Sequence, residues 1–515
     1  MRTIILLFSI LFTSLFTFSQ PTVEWSKCYG GSSNDYGYYI QSLDTNVYVI
    51  SGETWSDDGD VSENHGLSDI WMHKIDSIGG FHCQKCLGGS DEDFAKAVRE
   101  TSDKGLIICG TTLSNDGDVS GNHGLQDFWI VKLNMFGEID WQNCLGGSES
   151  DVSQSILQTQ NGEYVVAGIT NSVDGDVTNS FGEDDFWVLK LNGSGELIWQ
   201  KCFGGSSEDR AYSVNETSDG GYIIAGESHS IDGDVSGNHG GGDIWVIKLD
   251  SNGVKQWAHC YGGTEDEFAY SIKQVSDGGY IVAGGTMSND GNVTTNHGSV
   301  DCWIIKLESE GNLQWQKCYG GSDEDLAYSV ETTTDGGYIF SGYTESDDGD
   351  VNGNHGSRDG WIVKIDGSGV LLWQRCIGGS ADDETACVQK TFDLGYVVAG
   401  YTNSNDGNVS GNHGYNDTWI VKLNETTTDI EENSFNSKRA YVYPNPFTQN
   451  TTIEFNNAHH KEYSLIIWNT SGKIVRIINN ITTEKIEISK ESLPSGQYIF
   501  EIKGEKIFRN KIIIH

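Results

Sequence analysis

The chain has 515 residues, 65 of them glycine and only four proline, and a formal net charge of −42. Residues 438–515 hold 11 Lys and Arg against 7 Asp and Glu, and Arg2 adds one positive charge, so the rest of the chain carries −47. A body this acidic repels nucleic acid and anionic lipid heads, which excludes both as partners, and it favours divalent cations.

The chain begins MRTIILLFSILFTSLFTFSQ. One Arg precedes a long apolar run, and Thr17 and Ser19 sit at −3 and −1 of a cut before Gln20. Residues 1–19 therefore read as a secretory signal peptide. No later stretch reaches the ~18 apolar residues that a membrane span needs. The expectation is an exported mature chain without a transmembrane segment.

Residues 20–424 are a repeat. The motif W-x-x-C-x-G-G starts at Trp25, Trp141, Trp199, Trp257, Trp315 and Trp373, with Cys83 in place of Trp in the remaining copy. Its cysteine recurs every 58 residues, at Cys28, Cys86, Cys144, Cys202, Cys260, Cys318 and Cys376. A second tryptophan keeps the same step from Trp71 to Trp419. Within one copy, "AYSVNETS" and "GYIIAGES" flank a D-G-G turn, "DIWVIKLD" follows a loop, and an S-N-G turn leads to "VKQWAHCYGG". These runs are β-branched and aromatic, have no helical period and end at Gly, Asp, Asn or Ser. Four short antiparallel strands per repeat make one propeller blade. The first copy has an orphan fourth strand, "VEWSKCYGG", and the last lacks one. The fold expected is all-β: a seven-bladed β-propeller closed by the N-terminal strand, with no long free edge. An open solenoid would need cap-like terminal repeats, and these are not cap-like.

The segment "DIWVIKLDSNGVKQWAHC" resembles the third and fourth strands of quinoprotein-type propeller repeats, with their ALD-x-x-TG-x-x-x-W pattern. Lys248 and Leu249 stand in place of Ala-Leu, and Ser251-Asn252-Gly253 in place of the longer turn. The resemblance supports blades; residues that would hold a quinone are not identifiable.

The loop between the second and third strands carries D-G-D at Asp58/Asp60, Asp116/Asp118, Asp174/Asp176, Asp232/Asp234 and Asp348/Asp350, and D-G-N in two copies. Strand parity places these loops and the G-G-S connections between blades on one face of the ring. Oxygen-rich loops with glycine at tight bends suit Ca²⁺, which takes 6–8 oxygen ligands. They equally suit turns, in which Asp and Asn accept from nearby backbone N–H and Gly supplies positive φ. Both readings stay open, with these ten aspartates as candidate calcium ligands. His65, His123, His239, His297, His355 and His413 recur beside the loops, but Phe181 fills the slot in the third copy. A required ligand would not become Phe, so packing or a backbone hydrogen bond is expected. The tryptophans read as blade core rather than sugar platforms. The repeat cysteines lie a blade apart, too far to bridge. Cys83 and Cys86 point to opposite faces of one strand. Few or no disulfides are expected.

Residues 425–440 are polar and aperiodic, and read as a linker. Beyond them "YVYPNPF", "LIIWNTSGKIV", "LPSGQYIFEI" and "GEKIFRNKIII" are β-rich. Pro-Asn-Pro near the start, Gly-Lys before a strand, and Leu-x-x-Gly-x-Tyr before a basic final strand follow in order. Residues 441–515 resemble the type A C-terminal sorting domain of the type IX secretion system of Bacteroidetes. The resemblance implies a small β-sandwich, a partner in the type IX machinery, export across the outer membrane, and release or attachment at the surface.

Catalysis normally needs one asymmetric constellation. No Ser-His-Asp set, metal-protease helix or phosphate loop can be read, and His229, Arg210 and Arg358 form no recognisable pattern. The expectation is a non-enzymatic binding scaffold, secreted or on the cell surface, for glycans or surface partners, gaining avidity from equivalent weak sites. Two alternatives stay open: a polysaccharide lyase or glycosidase using the ring's central funnel, and a structural adhesion module.

Overall fold

The computed structural model describes residues 20–43, 47–424, 440–443, 445–455, 457, 460–469, 473–490, 493–504 and 507–514. The signal-peptide reading of 1–19 and all but the last residue of the 425–440 linker lie outside these residues. The chain divides into two compact units, Met1–Thr428 and Asp429–His515. No helix among the described residues is long and apolar enough to cross a membrane.

The first unit is a seven-bladed β-propeller. Six of its antiparallel sheets take four successive strands; the second blade is Asp93–Glu100, Leu106–Thr112, Asp127–Leu133 and Ile139–Leu145. The seventh takes Asp383–Lys390, Tyr396–Thr402 and Asp417–Asn424, and is completed by Thr22–Tyr29 from the other end of the chain. The orphan strand of the repeat thus closes the ring. Tyr48, Ile50 and Trp71 of the first blade pack with Val397, Ala399 and Ile420 of the seventh.

The two middle strands explain why each blade is apolar on both faces. Leu106–Thr112 and Asp127–Leu133 are buried at every residue. Ile107, Cys109, Phe128 and Ile130 meet Tyr164, Val166, Trp187 and Leu189 of the next blade. Each fully buried side chain of this kind contributes about 1.5–3 kcal/mol, so packing between blades holds the ring. The third-strand tryptophans are core, as expected. Trp129 Nε1 donates to Gln142 Oε1 on the fourth strand at 2.8 Å, and Trp71, Trp187, Trp303 and Trp361 repeat the bond. Ala258 replaces the glutamine in the fourth blade, and Trp245 Nε1 is left without a partner. The eleven cysteines are free thiols; Cys86 is buried while Cys83 faces solvent.

One feature of the blade is absent from the sequence pattern. The innermost strand of every blade shifts register against its neighbour at the same place, between Gly37 and Tyr39 in the first blade and between Thr385 and Cys387 in the last. The skipped residue is a β-bulge, which bends the strand and re-aims a side chain.

The second unit is a β-sandwich with seven described strands. Tyr441–Tyr443, Asn450–Glu454 and Lys485–Ser489 form one sheet. Ile474–Ile481, Tyr463–Asn469, Gly496–Lys503 and Ile507–Ile514 form the other, in that order. Ile453, Ile486 and Ile488 of the first sheet share a core with Leu465, Ile467, Phe500 and Ile512 of the second.

Candidate functional site

The D-G-D loops, the blade connections and the first residues of two strands meet on one face, as strand parity requires. In the second blade, Asp116 Oδ1 accepts from Ser90 N at 2.7 Å, while Asp118 N donates to Gly88 O at 2.9 Å. Gly117 between them has φ +64°, and a Cβ there would fall 2.4 Å from Gly88 O, so only glycine fits. Asp58, Asp174, Asp232 and Asp348 accept from Ser32, Ser148, Ser206 and Ser322 at 2.7 Å each. The second carboxylates lie close to the preceding connection: Asp60 and Asp176 each have an oxygen 3.4 Å from a glycine N. Asn292 and Asn408 make the same approach with an amide oxygen. Asp234 takes Lys255 as its partner, and Asp350 N donates to Gly320 O at 2.9 Å. Among the described residues, no group of three or more His, Cys, Asp and Glu is arranged to hold a metal ion.

Behind the loops lie two rings of carboxylates, Asp93 and Asp127 and their equivalents, which strand parity also places on this face and which prove to be fully buried. Asp93, first residue of its strand, accepts from Gly89 N and Ser114 Oγ at 2.8 Å. Burial pushes its pKa up to about 6, and those of Asp35, Asp151 and Asp325 likewise. Asp127, first residue of the third strand, lies 2.6 Å from His123 Nδ1. The same pair recurs at His65, His239, His297, His355 and His413. The histidines therefore hold a carboxylate, beyond the packing or backbone bond expected of them. In the third blade Phe181 offers only its backbone N–H to Asp185, whose pKa burial pushes to about 7.

The bulges build a different site. The bulged residues are Tyr38, Lys96, Gln154, Tyr212, Tyr270, Tyr328 and Ala386, one from each blade, and all line one cavity of about 420 Å³ on the ring axis. Tyr270 lies 5.1 Å from both Tyr212 and Tyr328, ring centre to ring centre. Tyr36 stacks on Tyr38 and meets Tyr401 edge-on at 5.0 Å. One residue further, Ser155, Ser213, Ser271 and Ser329 accept through Oγ from backbone N–H of the next blade's inner strand at 3.3 Å. These bonds tie neighbouring bulges together. Beyond them come Arg99, Asn215, Lys273, Glu331 and Gln389.

Tyr38 and Tyr212 donate to Glu53 and Glu227 at 2.8 and 3.0 Å. Burial pushes the Tyr270 hydroxyl up to about 12 and raises Tyr38, Tyr212 and Tyr328 as well, so these remain neutral phenols at ordinary pH. Glu331 pairs with Lys273 at 2.7 Å, and Glu384 with Arg358. Arg358 also meets Glu345, and Arg210 meets Asp184 and Glu208, both at 2.8 Å, so these one-off arginines are matched. Lys96 Nζ lies 4.5 Å from the Tyr38 ring centre, and the Arg99 guanidinium 4.3 Å from that of Tyr39. Arg99 Nη1 is buried without a hydrogen-bond partner. A sequence signal for this site does exist. Positions 58 apart along the inner strand vary between Tyr, Lys, Gln and Ala at the bulge and between Gln, Arg, Leu, Asn, Lys and Glu three residues on, while Val98 and its equivalents in the core are all Val or Ile.

Residues 441–515 match the family of secretion system C-terminal sorting domains. The protein is secreted or held at the outer cell surface, and its C-terminal unit engages the type IX secretion machinery. The regulatory protein FlaEY of Caulobacter vibrioides is 26% identical over 223 residues, which are 40% of this chain and 23% of that protein. The chain thus spans less than a quarter of that relative's length. Among solved structures, a fungal alcohol oxidase of the AA5 family in complex with copper is 12% identical, covers 96% of this chain and 99% of its own, and has a TM-score of 0.46. A puromycin hydrolase is 9% identical over 84% of this chain and 62% of its own, at 0.45. A mutant apocarotenoid oxygenase of Synechocystis is 13% identical over 75% of this chain and 89% of its own, at 0.37. None of the three reaches 0.5.

Proposed function

We propose that this secreted or cell-surface protein is a binding protein whose axial channel holds a glycan. One observation carries the reading: seven bulges aim seven side chains, four of them tyrosine, into one cavity of about 420 Å³. Binding cavities combine aromatic walls with a few placed polar groups. Tyrosine offers an apolar face to a sugar ring and a hydroxyl at its rim. The raised tyrosine hydroxyls favour binding over catalysis, because a phenol held near 12 or above is a poor base at neutral pH. The channel is a single site per ring, so it replaces the expectation of several equivalent weak sites as the leading reading.

The test is a glycan array probed with the full chain, with Tyr270→Ala and Tyr328→Ala as variants and Tyr415→Ala, on an exposed loop, as control. Each channel variant is expected to lose about tenfold in affinity, or 1.4 kcal/mol, while the control does not. Retention unchanged in both channel variants would rule the channel out. Release of reducing ends or unsaturated sugars from a retained polysaccharide would make the protein an enzyme instead.

A further inference from the structure

The channel charges do not balance within themselves. Its two lining carboxylates, Glu331 and Glu384, are matched by Lys273 and Arg358. Lys96 and Arg99 also line it, three residues apart on the inner strand of the second blade. Each has an aromatic ring beside it and no carboxylate within ion-pair distance among the described residues. The equivalents of Lys96 in other blades are Tyr, Gln or Ala, and those of Arg99 are Gln, Leu, Asn, Lys and Glu. Two cations therefore stand on one wall of the channel without an ion pair, in a chain of net charge −42: Glu53, which accepts from Tyr38, and Glu331, which is paired with Lys273, act on Lys96 and Arg99 only from beyond that distance. A buried charge is costly unless it is paired and hydrogen-bonded, and Arg99 Nη1 is buried with nothing to donate to. A bound anion would supply that acceptor.

We infer that the second-blade wall of the channel, Lys96 and Arg99, is an anion subsite that selects a sugar bearing a carboxylate or sulfate. The inference rests on the reading of the channel as a glycan site. The guanidinium takes the anion through two parallel N–H···O bonds, the geometry that suits planar acceptors. Lys96 adds a point charge one bulge away. The tyrosines of the fourth to sixth blades, on the other side of the axis, face the ring of the same sugar. The acidic body does not prevent this. At physiological ionic strength charges more than about 8 Å apart are largely screened, whereas a contact pair in the channel is not.

The experiment uses the full chain on an array of hexuronate oligomers, sulfated galactans and uncharged oligomers, with Arg99→Gln and Lys96→Gln as variants. Neither variant is expected to lower the melting temperature, because removing a charge that has no ion pair offsets the loss of each side chain's ring contact. The wild type is expected to retain charged members over uncharged ones, and Arg99→Gln to lose at least tenfold on the charged members alone. Retention of uronates only identifies a carboxylate; retention of sulfated galactans as well identifies an anion of either kind. Equal retention of charged and uncharged members, unchanged in Arg99→Gln, overturns the inference and leaves the channel reading standing. No retention of any member by the wild type overturns both.

Discussion

Asp116 and Asp118 sit two residues apart and have different tasks. The first accepts from the Ser90 N–H of the connection before it; the second anchors the loop by donating its own N–H to Gly88 O. Asparagine can accept the same bond, and Asn292 and Asn408 show an amide oxygen at the second position. Turn chemistry therefore predicts that Asp116→Asn combined with Asp118→Asn changes stability by under about 0.5 kcal/mol. Calcium predicts otherwise. A bound ion stabilises the folded state by about 2.7 kcal/mol per site at a hundredfold excess over its dissociation constant. Melting temperatures with chelator, calcium and magnesium decide between them. Equal shifts from the two cations mean screening of charge, and the loops are turns; a calcium-specific rise that shrinks in the double variant means binding.

At the scale of the element, the strand Thr22–Tyr29 matters more than its length suggests. It pairs with Asp417–Asn424 from Thr22 opposite Asn424 to Tyr29 opposite Thr418, and Trp419 Nε1 donates to Ser26 Oγ at 2.8 Å. Without it the seventh blade ends on an exposed strand edge, a template for pairing with another chain. Deleting residues 21–31 should abolish the single cooperative melting transition or cause aggregation, measured by calorimetry and light scattering. An unchanged transition would mean that the other blades close without it. The bulged inner strands are the opposite case. Their pairing defect is repeated seven times, four serine bonds tie those of the third to seventh blades, and their side chains face the channel.

For the whole molecule, acidity and burial set the response to pH. The seven first-strand carboxylates, Asp35 to Asp383 with Glu267 among them, and the seven third-strand aspartates, Asp69 to Asp417, all have pKa values raised by burial. The folded state then holds protons that the unfolded chain releases near pH 4. This stabilisation is present below pH 4 and lost as pH rises through each raised value, about 6 for Asp35, Asp93, Asp151 and Asp325 and about 7 for Asp185. His73 acts against it. Burial among Tyr29, Trp71 and Phe81 pushes its pKa down to about 3, so the unfolded chain takes up a proton first as pH falls below 6.5. One group opposes fourteen, so the melting temperature of the full chain should rise as pH is lowered from 8 to 5. In 1 M salt, where the Debye length is about 3 Å, relief of surface repulsion drops out and the rise from the buried groups should remain. A flat profile in high salt would show that these carboxylates ionise without cost.

The 58-residue step, the seven copies, the split last blade and the landmarks of 441–515 were all legible in the sequence, because each is a local pattern or a count. The blade core was legible for the same reason: continuous apolar runs such as "DFWIVKL" have nowhere to go but between sheets. The His123–Asp127 pair was within reach, four residues apart in one loop, yet nothing in the chain shows that the aspartate is buried. The channel could be decided only by tertiary structure. A bulge is a relation between two paired strands, so no single strand reveals which of its residues is skipped. Ring closure then brings Tyr38, Lys96, Tyr212, Tyr270 and Tyr328 from across almost 300 residues of chain to a common axis. Arg99 reads as one cation among many in the sequence; burial in that wall, with no acceptor beside it, is what gives its charge a consequence.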